Sequence, residues 1–323
     1  MGLDVLSQLG IDLRGRDSSV EVCVKETRDL LSSYTHDDLL NIRRMTDSTM
    51  IMAMKFLSKL LLGMGQIMPK SAPHVAQQII QLSLSHGMST ASPLGFVHFG
   101  SYMANLGDIS EGYSYVKLAR SLLDKLGSRE CAGEVICIST QVASYIEPLQ
   151  ATLEYHDEGY AAAMASGDII QAAVNMYTGY ISFFYAGVKL QTTRDKGGEV
   201  IKTTREKGNE VINFMQERKI RSFLIPIKCI QNSVLRLVGM DEEPTCFSAE
   251  EKKILETNNN AKAANYTQKL YISFMFRLYD ETKDYTEKIL ACIAKSIWAN
   301  LIFTLLPCIL HWSRFILGCQ KLE

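Results

Sequence analysis

Residues that break helices are scarce in this sequence, which has 7 prolines and 21 glycines among 323 residues. Segments in which β-branched residues alternate with polar ones, the usual mark of strands, are also few. These two shortages predict an almost entirely α-helical chain. Its 47% of hydrophobic and 21% of charged residues are typical of folded globular proteins and exclude a disordered chain.

An excess of charge of either sign is absent as well. The 34 basic residues are balanced by 35 acidic ones, which leaves a formal net charge of -1. Domains that bind nucleic acid usually concentrate positive charge on one face. We therefore expect no nucleic acid among the partners.

Motifs that carry chemistry are missing too. The sequence has no phosphate-binding glycine loop, no G-x-S-x-G, no H-E-x-x-H and no kinase signature. Two histidines stand beside carboxylates: His36 precedes two aspartates, and His156 precedes an aspartate and a glutamate. An exposed helix start with acidic residues near its positive end explains both more simply than a metal or acid–base site. We predict no enzyme activity, no catalytic, cofactor-binding or metal-binding residue, and no cofactor.

The cysteines form no C-x-x-C pair and no zinc-like spacing with histidine. Most of the 8 lie inside apolar helical patterns, where a thiol behaves as a small hydrophobic group. Reduced, buried cysteines indicate a cytoplasmic protein. Asp4 and Asp12 interrupt any apolar core that a signal peptide would need near Met1, which agrees with that expectation.

The segment from Glu158 to Leu190 is typical of two closely packed helices. Its alanine-rich first part ends at Ser166, and an apolar second part begins at Ile169. Gly167 suits the left-handed residue after a helix, and the Asp168 side chain can accept hydrogen bonds from the next helix. The pattern predicts a helical hairpin.

Small and aromatic residues alternate in the second part of this hairpin. Ala172, Met176, Gly179 and Phe183 follow helical spacing and are predicted to share a buried face. Gly179→Leu should then cost roughly 1–3 kcal/mol of stability because the larger side chain would strain a close helix contact.

Cap residues and apolar periodicity predict further helices along the chain. They cover residues 20–31, 48–62, 73–86, 94–106, a stretch ending at Gly127, 220–238, a short helix after Ser248, 261–278 and 281–294. Gly-Asp-Ile occurs at 107–109 and again at 167–169, each time between two helices. This echo indicates a degenerate repeat of helical hairpins.

A tandem duplication interrupts the repeat. TTRDKGGEVI at residues 192–201 is followed by TTREKGNEVI at residues 203–212. We interpret this charged, glycine-containing segment as a solvated helix extension, with a partner-binding arm as the alternative.

The C-terminal stretch is apolar and carries no charge from Ser296 to Ser313. That length is at the lower limit for a membrane span, and Asn300, Pro307 and His311 interrupt it. We expect residues 298–317 to pack as a final helix or helix pair, with a sticky outer side that promotes self-association. A membrane anchor through residues 296–317 is the alternative.

Three stretches together resemble one family: MTDSTMIMAMKFLSKLL, the segment that contains LSHGMSTASPLGFVHFGSYMANLGD, and EPLQATLEYHDEGYAAAMASGDIIQAAVNMYTGYISFFYAGVKL. The family is the tetratricopeptide-like superhelical region of large multidomain signalling proteins. Those proteins also carry a serine/threonine kinase-like domain, a STAND-type AAA ATPase and GAF, histidine-kinase or cyclase modules, none of which this chain contains. The resemblance extends from residue 1 to about residue 293.

The resemblance implies an all-α fold: an irregular, TPR-like superhelix, or α-solenoid, over residues 1–293, followed by the apolar tail 294–323. A stack of about seven helix pairs would bind a protein partner on its concave face, as a non-catalytic scaffold or relay in signal transduction. One alternative is the regulatory part of an enzyme whose catalytic domains lie outside this chain. Another is a small-molecule sensor with a pocket lined by Tyr177, Tyr180, Phe183 and Phe184.

Overall fold

The computed structural model describes residues 6–7, 11, 18–67, 71–186, 206–221, 223–237 and 247–293. Within these ranges the chain forms fourteen α-helices and no β-strand, apart from one isolated bridge between Arg44 and Met88. The predicted all-α class is confirmed. In this part of the chain no helix is long and apolar enough to cross a bilayer.

The chain divides into two compact units, Met1–Pro148 with Glu154–Asn175, and Leu149–Leu153 with Met176–Glu323. The first unit contains α1 (Val20–Leu31), α2 (His36–Asn41), α3 (Ser48–Ile67), α4 (Ala72–His86), α5 (Ser92–Asn105), α6 (Ile109–Leu126), α7 (Ala132–Ala143) and α8 (Leu153–Ser166). The next helix, α9 (Ile169–Tyr185), contributes its first seven residues to this unit and the rest to the second. The second unit continues with α10 (206–217), α11 (Leu224–Leu237), α12 (Ala249–Thr257), α13 (Asn259–Met275) and α14 (Tyr279–Ile293).

Each helix from α3 to α6 packs on the next one in the chain, and α5 also contacts α7. The core of the first unit consists of large aliphatic and aromatic side chains that are fully buried, among them Leu57, Ile79 and Phe96. In the second unit, α13 packs on α11, α12 and α14.

Glycines bring α5 and α6 unusually close together. A Cβ atom added to Gly112 would lie 2.9 Å from the backbone nitrogen of Ala104, and one added to Gly100 would lie 2.6 Å from the carbonyl oxygen of Gly112. Small-residue packing of this kind was predicted for residues 158–190 but not for this pair of helices.

Five helices end in the same way. After α5, α6, α8, α10 and α13 the chain takes a left-handed residue, and the next amide donates to a carbonyl five residues earlier. These are Schellman motifs, in which the left-handed residue directs the following amide back to an otherwise unpaired carbonyl. The left-handed residues are Gly107, Gly127, Gly167, Lys219 and Arg277. The Gly-Asp dipeptides at 107–108 and 167–168 are therefore two instances of a helix-end motif that recurs at five helices of the described residues.

Most predicted helix boundaries are confirmed to within a few residues. The Asp168 carboxylate accepts a hydrogen bond from the amide of Gln171 at 3.1 Å, as predicted for a cap. Ser248 and Glu251 form a capping box at the start of the short helix predicted after Ser248. Asn258 caps α13, and the next two asparagines already belong to that helix.

The buried face of α9 differs from the prediction. Ala172 is buried, but the other three residues of the predicted stripe are only partly buried. Ala173, Tyr177 and Tyr180 form the more deeply buried line. Sequence periodicity identified the helix correctly but predicted a buried face that is rotated by about one residue from the observed one. The observed face is set by tertiary contacts of the aromatic side chains, which the periodicity does not contain.

The second copy of the duplication is also not a solvated extension. Its residues from 206 onward belong to α10, where Gly208 is buried and Val211 is 4% exposed. A Cβ atom on Gly208 would lie 2.7 Å from the hydroxyl oxygen of Tyr180 and 2.8 Å from the side-chain nitrogen of Gln231. The glycine therefore permits a close contact. The first copy and the apolar tail lie outside the described residues.

Candidate functional site

The first unit contains a cleft of about 310 Å³ between α6, α7 and the start of α8. Tyr113, Lys117 and Arg120 contribute to it from one face of α6, because residues spaced by four and three positions share a helix face. The remaining lining residues are Val116, Ser121, Ser139, Thr140, Ala143, Glu147 and Tyr155. The cleft thus combines two phenol rings, two cations, one carboxylate and three hydroxyl groups.

The two cations lie over the two aromatic rings. The Lys117 ammonium is 4.6 Å from the centre of the Tyr113 ring, and the Arg120 guanidinium is 5.0 Å from the centre of the Tyr155 ring. Such stacking holds a flexible cationic side chain against the wall without neutralising its charge. Arg120 also donates to the carboxylate of Glu158 at 2.6 Å. Its position is therefore fixed from two sides.

Two lining residues of the cleft, Tyr113 and Glu147, are hydrogen-bonded to each other. The Tyr113 hydroxyl donates to Glu147 Oε1 at 2.5 Å. This hydrogen bond, assisted by partial burial, raises the pKa of Tyr113 to about 12. The phenol consequently stays protonated at neutral pH and serves as a donor. The backbone amide of Glu147 donates to the carbonyl of Ala143 at 2.8 Å, which adds one more helical hydrogen bond beyond the end of α7.

Ser139 in the cleft lining is 3% exposed, and its hydroxyl has no hydrogen-bond partner among the described residues. The neighbouring Thr140 differs, because its hydroxyl donates to the carbonyl of Ile136 at 2.7 Å. Leaving a buried hydroxyl unsatisfied costs free energy, so such groups are uncommon in native proteins. Ser139 is therefore a feature of this cleft that helix stability does not explain.

A second, much smaller cavity of about 30 Å³ lies where α3 meets the segments before α5 and α7. Its lining includes two lysines, Lys55 and Lys59, and two glutamates, Glu130 and Glu134. Cys131 also lines this cavity, but burial raises the pKa of its thiol to about 12. The thiol is thus protonated at neutral pH and is a poor nucleophile.

The two histidines that the sequence placed beside carboxylates have different surroundings. The segment from Thr35 to Asp38 forms a capping box, as the helix-start interpretation requires, and the His36 ring lies 5.2 Å from the Tyr115 ring. The exposed position predicted for His156 is wrong, since that side chain is 4% exposed. Burial lowers the pKa of His156 to about 4. Its buried position arises because α8 packs this side of its first turns into the unit.

One close pair of titratable groups was not identified from the sequence. His98 Nε2 lies 2.9 Å from Glu134 Oε1, and both side chains are largely buried. The two residues are 36 positions apart and come together through the packing of α5 on α7.

The four aromatic residues of the predicted sensor pocket pack against other side chains instead of lining a pocket. Tyr177 stacks on Phe223 at 4.8 Å, and Phe184 contacts the Tyr271 ring edge-on at 5.3 Å. The Lys207 ammonium covers the Phe183 ring at 4.6 Å. The Tyr180 ring is 3% exposed beside α10. None of the four lines either of the two cavities described above.

In the part of the chain that the structure describes, no group of three or more His, Cys, Asp or Glu side chains is arranged to hold a metal ion. The cleft residues instead offer donors and a positive charge, which suit recognition of a polar ligand. No protein-family model matches the chain, and no curated protein shows significant sequence similarity to it.

Proposed function

We propose that the chain is a non-catalytic helical-repeat scaffold, related to the superhelical regions of multidomain signalling proteins, that binds a protein partner. The observation that carries the proposal is the repeated hairpin architecture with a polar, cation-bearing cleft between α6, α7 and α8. Repeat proteins of this kind present side chains from successive helices to a partner.

The packing pattern supports a superhelical arrangement. Consecutive helices from α3 to α7 contact each other, and α5 contacts the next-but-one helix α7. In stacked helical repeats each unit contacts chiefly its neighbours. The recurring Schellman ends also give several helix-to-helix turns the same backbone geometry. These features favour the α-solenoid over an arbitrary helical bundle.

Small-angle X-ray scattering of the purified chain tests the shape. A single compact domain of this length would have a radius of gyration of about 20 Å. A stack of hairpins is longer in one direction, so we expect a clearly larger value for the monomer. A monomer value near that of the compact domain would contradict the superhelix.

Binding is tested by affinity capture with chemical cross-linking, using the wild type and two variants with the same change of charge. Lys117→Glu alters the cleft, and Lys25→Glu alters an exposed lysine of α1 that does not line it. We expect at least one protein that cross-links to wild type and to the Lys25 variant but is lost with the Lys117 variant. Equal recovery with both variants would contradict partner binding at this surface.

A further inference from the structure

The cleft between α6, α7 and α8 contains one cation that is not paired with a carboxylate. Lys117 is exposed, and no carboxylate of the described residues lies within ion-pair distance of its ammonium. Arg120, in contrast, is held by Glu158. Because Glu158 balances the charge of Arg120, and Glu147 is the one acidic residue of the lining, Lys117 is the cation of the cleft that is left to pair with a ligand.

We propose that this cleft binds a carboxylate group, supplied by an aspartate or glutamate side chain in an acidic segment of the partner protein. The inference rests on the proposed scaffold function and specifies which chemistry the partner brings to it. The carboxylate pairs with the Lys117 ammonium, and the apolar part of the acidic side chain lies against the Tyr113 and Tyr155 rings.

The charge of the lining favours a carboxylate over a phosphate. A singly charged carboxylate matches the single unpaired charge of Lys117. The second charge of a phosphate dianion would have no cation to balance it and would add to the repulsion from the fixed carboxylate of Glu147. Arg120, the side chain best suited to grip a phosphate with two parallel hydrogen bonds, is already engaged by Glu158. A volume of about 310 Å³ accommodates a side chain and its adjoining backbone rather than a large cofactor.

Ser139 supplies the second, independent observation. Its buried hydroxyl lacks a partner among the described residues, although the residue belongs to the cleft lining. A bound carboxylate or backbone carbonyl would accept a hydrogen bond from this hydroxyl and remove the cost of leaving it unpaired. The ligand would thereby satisfy a group that the fold leaves unsatisfied.

The test measures fluorescence anisotropy of a fluorescein-labelled, end-blocked octaglutamate peptide titrated with the full-length chain at low salt. An octaglutamine peptide with the same label controls for contacts of the label and the backbone. Lys117→Met keeps the apolar stem but removes the charge, and Lys25→Met makes the same change outside the cleft. Ser139→Ala removes the unpaired hydroxyl, and thermal unfolding monitors the fold of each variant.

We expect saturable binding of octaglutamate and none of octaglutamine. Lys117→Met should weaken binding roughly five- to tenfold, whereas Lys25→Met should leave it unchanged. Ser139→Ala should weaken binding about fivefold without lowering the thermal midpoint, because the lost hydroxyl stabilises nothing in the free protein. Equal affinity of wild type and Lys117→Met, or no saturable binding at millimolar protein, would overturn the inference.

Competition with glutarate separates the carboxylate site from the scaffold function. If glutarate displaces the peptide only at concentrations far above those of octaglutamate, the result supports both the carboxylate site and the scaffold function. A free dicarboxylate that binds as tightly as the peptide supports the carboxylate site but contradicts the scaffold, because the cleft would then sense a small molecule. A captured protein partner without any octaglutamate binding overturns the carboxylate site and leaves the scaffold standing.

Discussion

The side-chain amide of Asn175 occupies the space beside Gly159 that any larger residue would need. A Cβ atom added to Gly159 would lie 2.7 Å from Asn175 Cγ, well inside van der Waals contact. From this position Asn175 Nδ2 donates to the carbonyl of Gly133 at 2.9 Å and to that of Gln171 at 2.9 Å. One glycine thus allows a buried asparagine of α9 to reach across α8 to α7.

Gly159→Ala should destabilise the protein, although alanine is the better helix former. In an exposed helix the change would stabilise by about 1 kcal/mol. Here the methyl group must displace a fully buried amide that makes two hydrogen bonds, so we expect a net loss of about 1–3 kcal/mol. Chemical denaturation measures the change.

A double-mutant cycle with Asn175→Ala checks the cause of that loss. Removing the amide leaves room for the methyl group, so the cost of Gly159→Ala should be smaller in the Asn175→Ala background. Additive losses would show that the two side chains do not compete for the same space.

The left-handed residue after α13 is an arginine, whereas the one after α6 is a glycine. Arg277 has φ of 57° and Gly127 has φ of 64°. A residue with a Cβ atom is strained in this region, by about 1 kcal/mol. Arg277→Gly should therefore stabilise the protein by several tenths of a kcal/mol, and Gly127→Ala should destabilise it by about 1 kcal/mol. Thermal unfolding reports both, and a lower midpoint for Arg277→Gly would contradict the assignment of the turn.

These turns show how far the sequence predicts the fold. Gly107, Gly127 and Gly167 stand after helical patterns and are recognised as helix ends from residue type alone. Lys219 and Arg277 adopt the same conformation, yet nothing in their chemistry favours it. There the Schellman hydrogen bonds and the packing of the flanking helices impose the backbone geometry, which is why local patterns did not identify these positions.

The cleft shows the same limit. The spacing of Tyr113, Lys117 and Arg120 on one face of α6 is visible in the sequence, as a polar helix face that includes an aromatic residue. Ser139 lies 19 residues after Arg120 in the sequence, and Glu147 lies further still. Only the packing of α7 on α6 brings them to that face. The sequence therefore contained one wall of the cleft but gave no signal that a second wall lies opposite.

His156 should make stability depend on pH in the acid range. Burial lowers the pKa of this imidazole from 6.5 to about 4 in the folded protein. The unfolded chain therefore binds the proton first as the pH falls, and stability is lost from about pH 6.5 down to about pH 4. The loss is at most about 3 kcal/mol.

Replacing His156 should flatten this part of the pH profile. His156→Gln removes the titrating group, so denaturation midpoints between pH 6.5 and pH 4 should decline less steeply than in wild type. His86→Gln is the matched control, because His86 is exposed. A profile of His156→Gln that stays parallel to wild type would show that other groups cause the acid sensitivity.

Lys228 and Glu251 form a largely buried ion pair between α11 and α12. The Lys228 ammonium lies 2.7 Å and 2.8 Å from the two carboxylate oxygens of Glu251. Burial alone would raise the pKa of Glu251, but the hydrogen bonds from Lys228 and Ser248 outweigh it and lower the pKa. The same carboxylate accepts from the amide of Ser248 at 2.7 Å in the capping box of α12. Glu251 therefore has two separable roles.

Glu251→Gln separates the ion pair from the cap, since glutamine also closes a capping box. We expect a loss of about 1.5–3 kcal/mol, because Lys228 is left without its counter-charge. Glu250→Gln is the control: Glu250 pairs with Arg221 at 3.1 Å, but both side chains are at least 70% exposed, so the change should be near zero.

The pH dependence gives an independent check. The folded-state pKa of Glu251 lies below its ordinary value of 4.5, so its contribution is complete above that pH and is lost as the pH falls below it. The difference between wild type and Glu251→Gln should accordingly shrink in acid, and a difference that is the same on both sides of pH 4.5 would rule out the charge as its source.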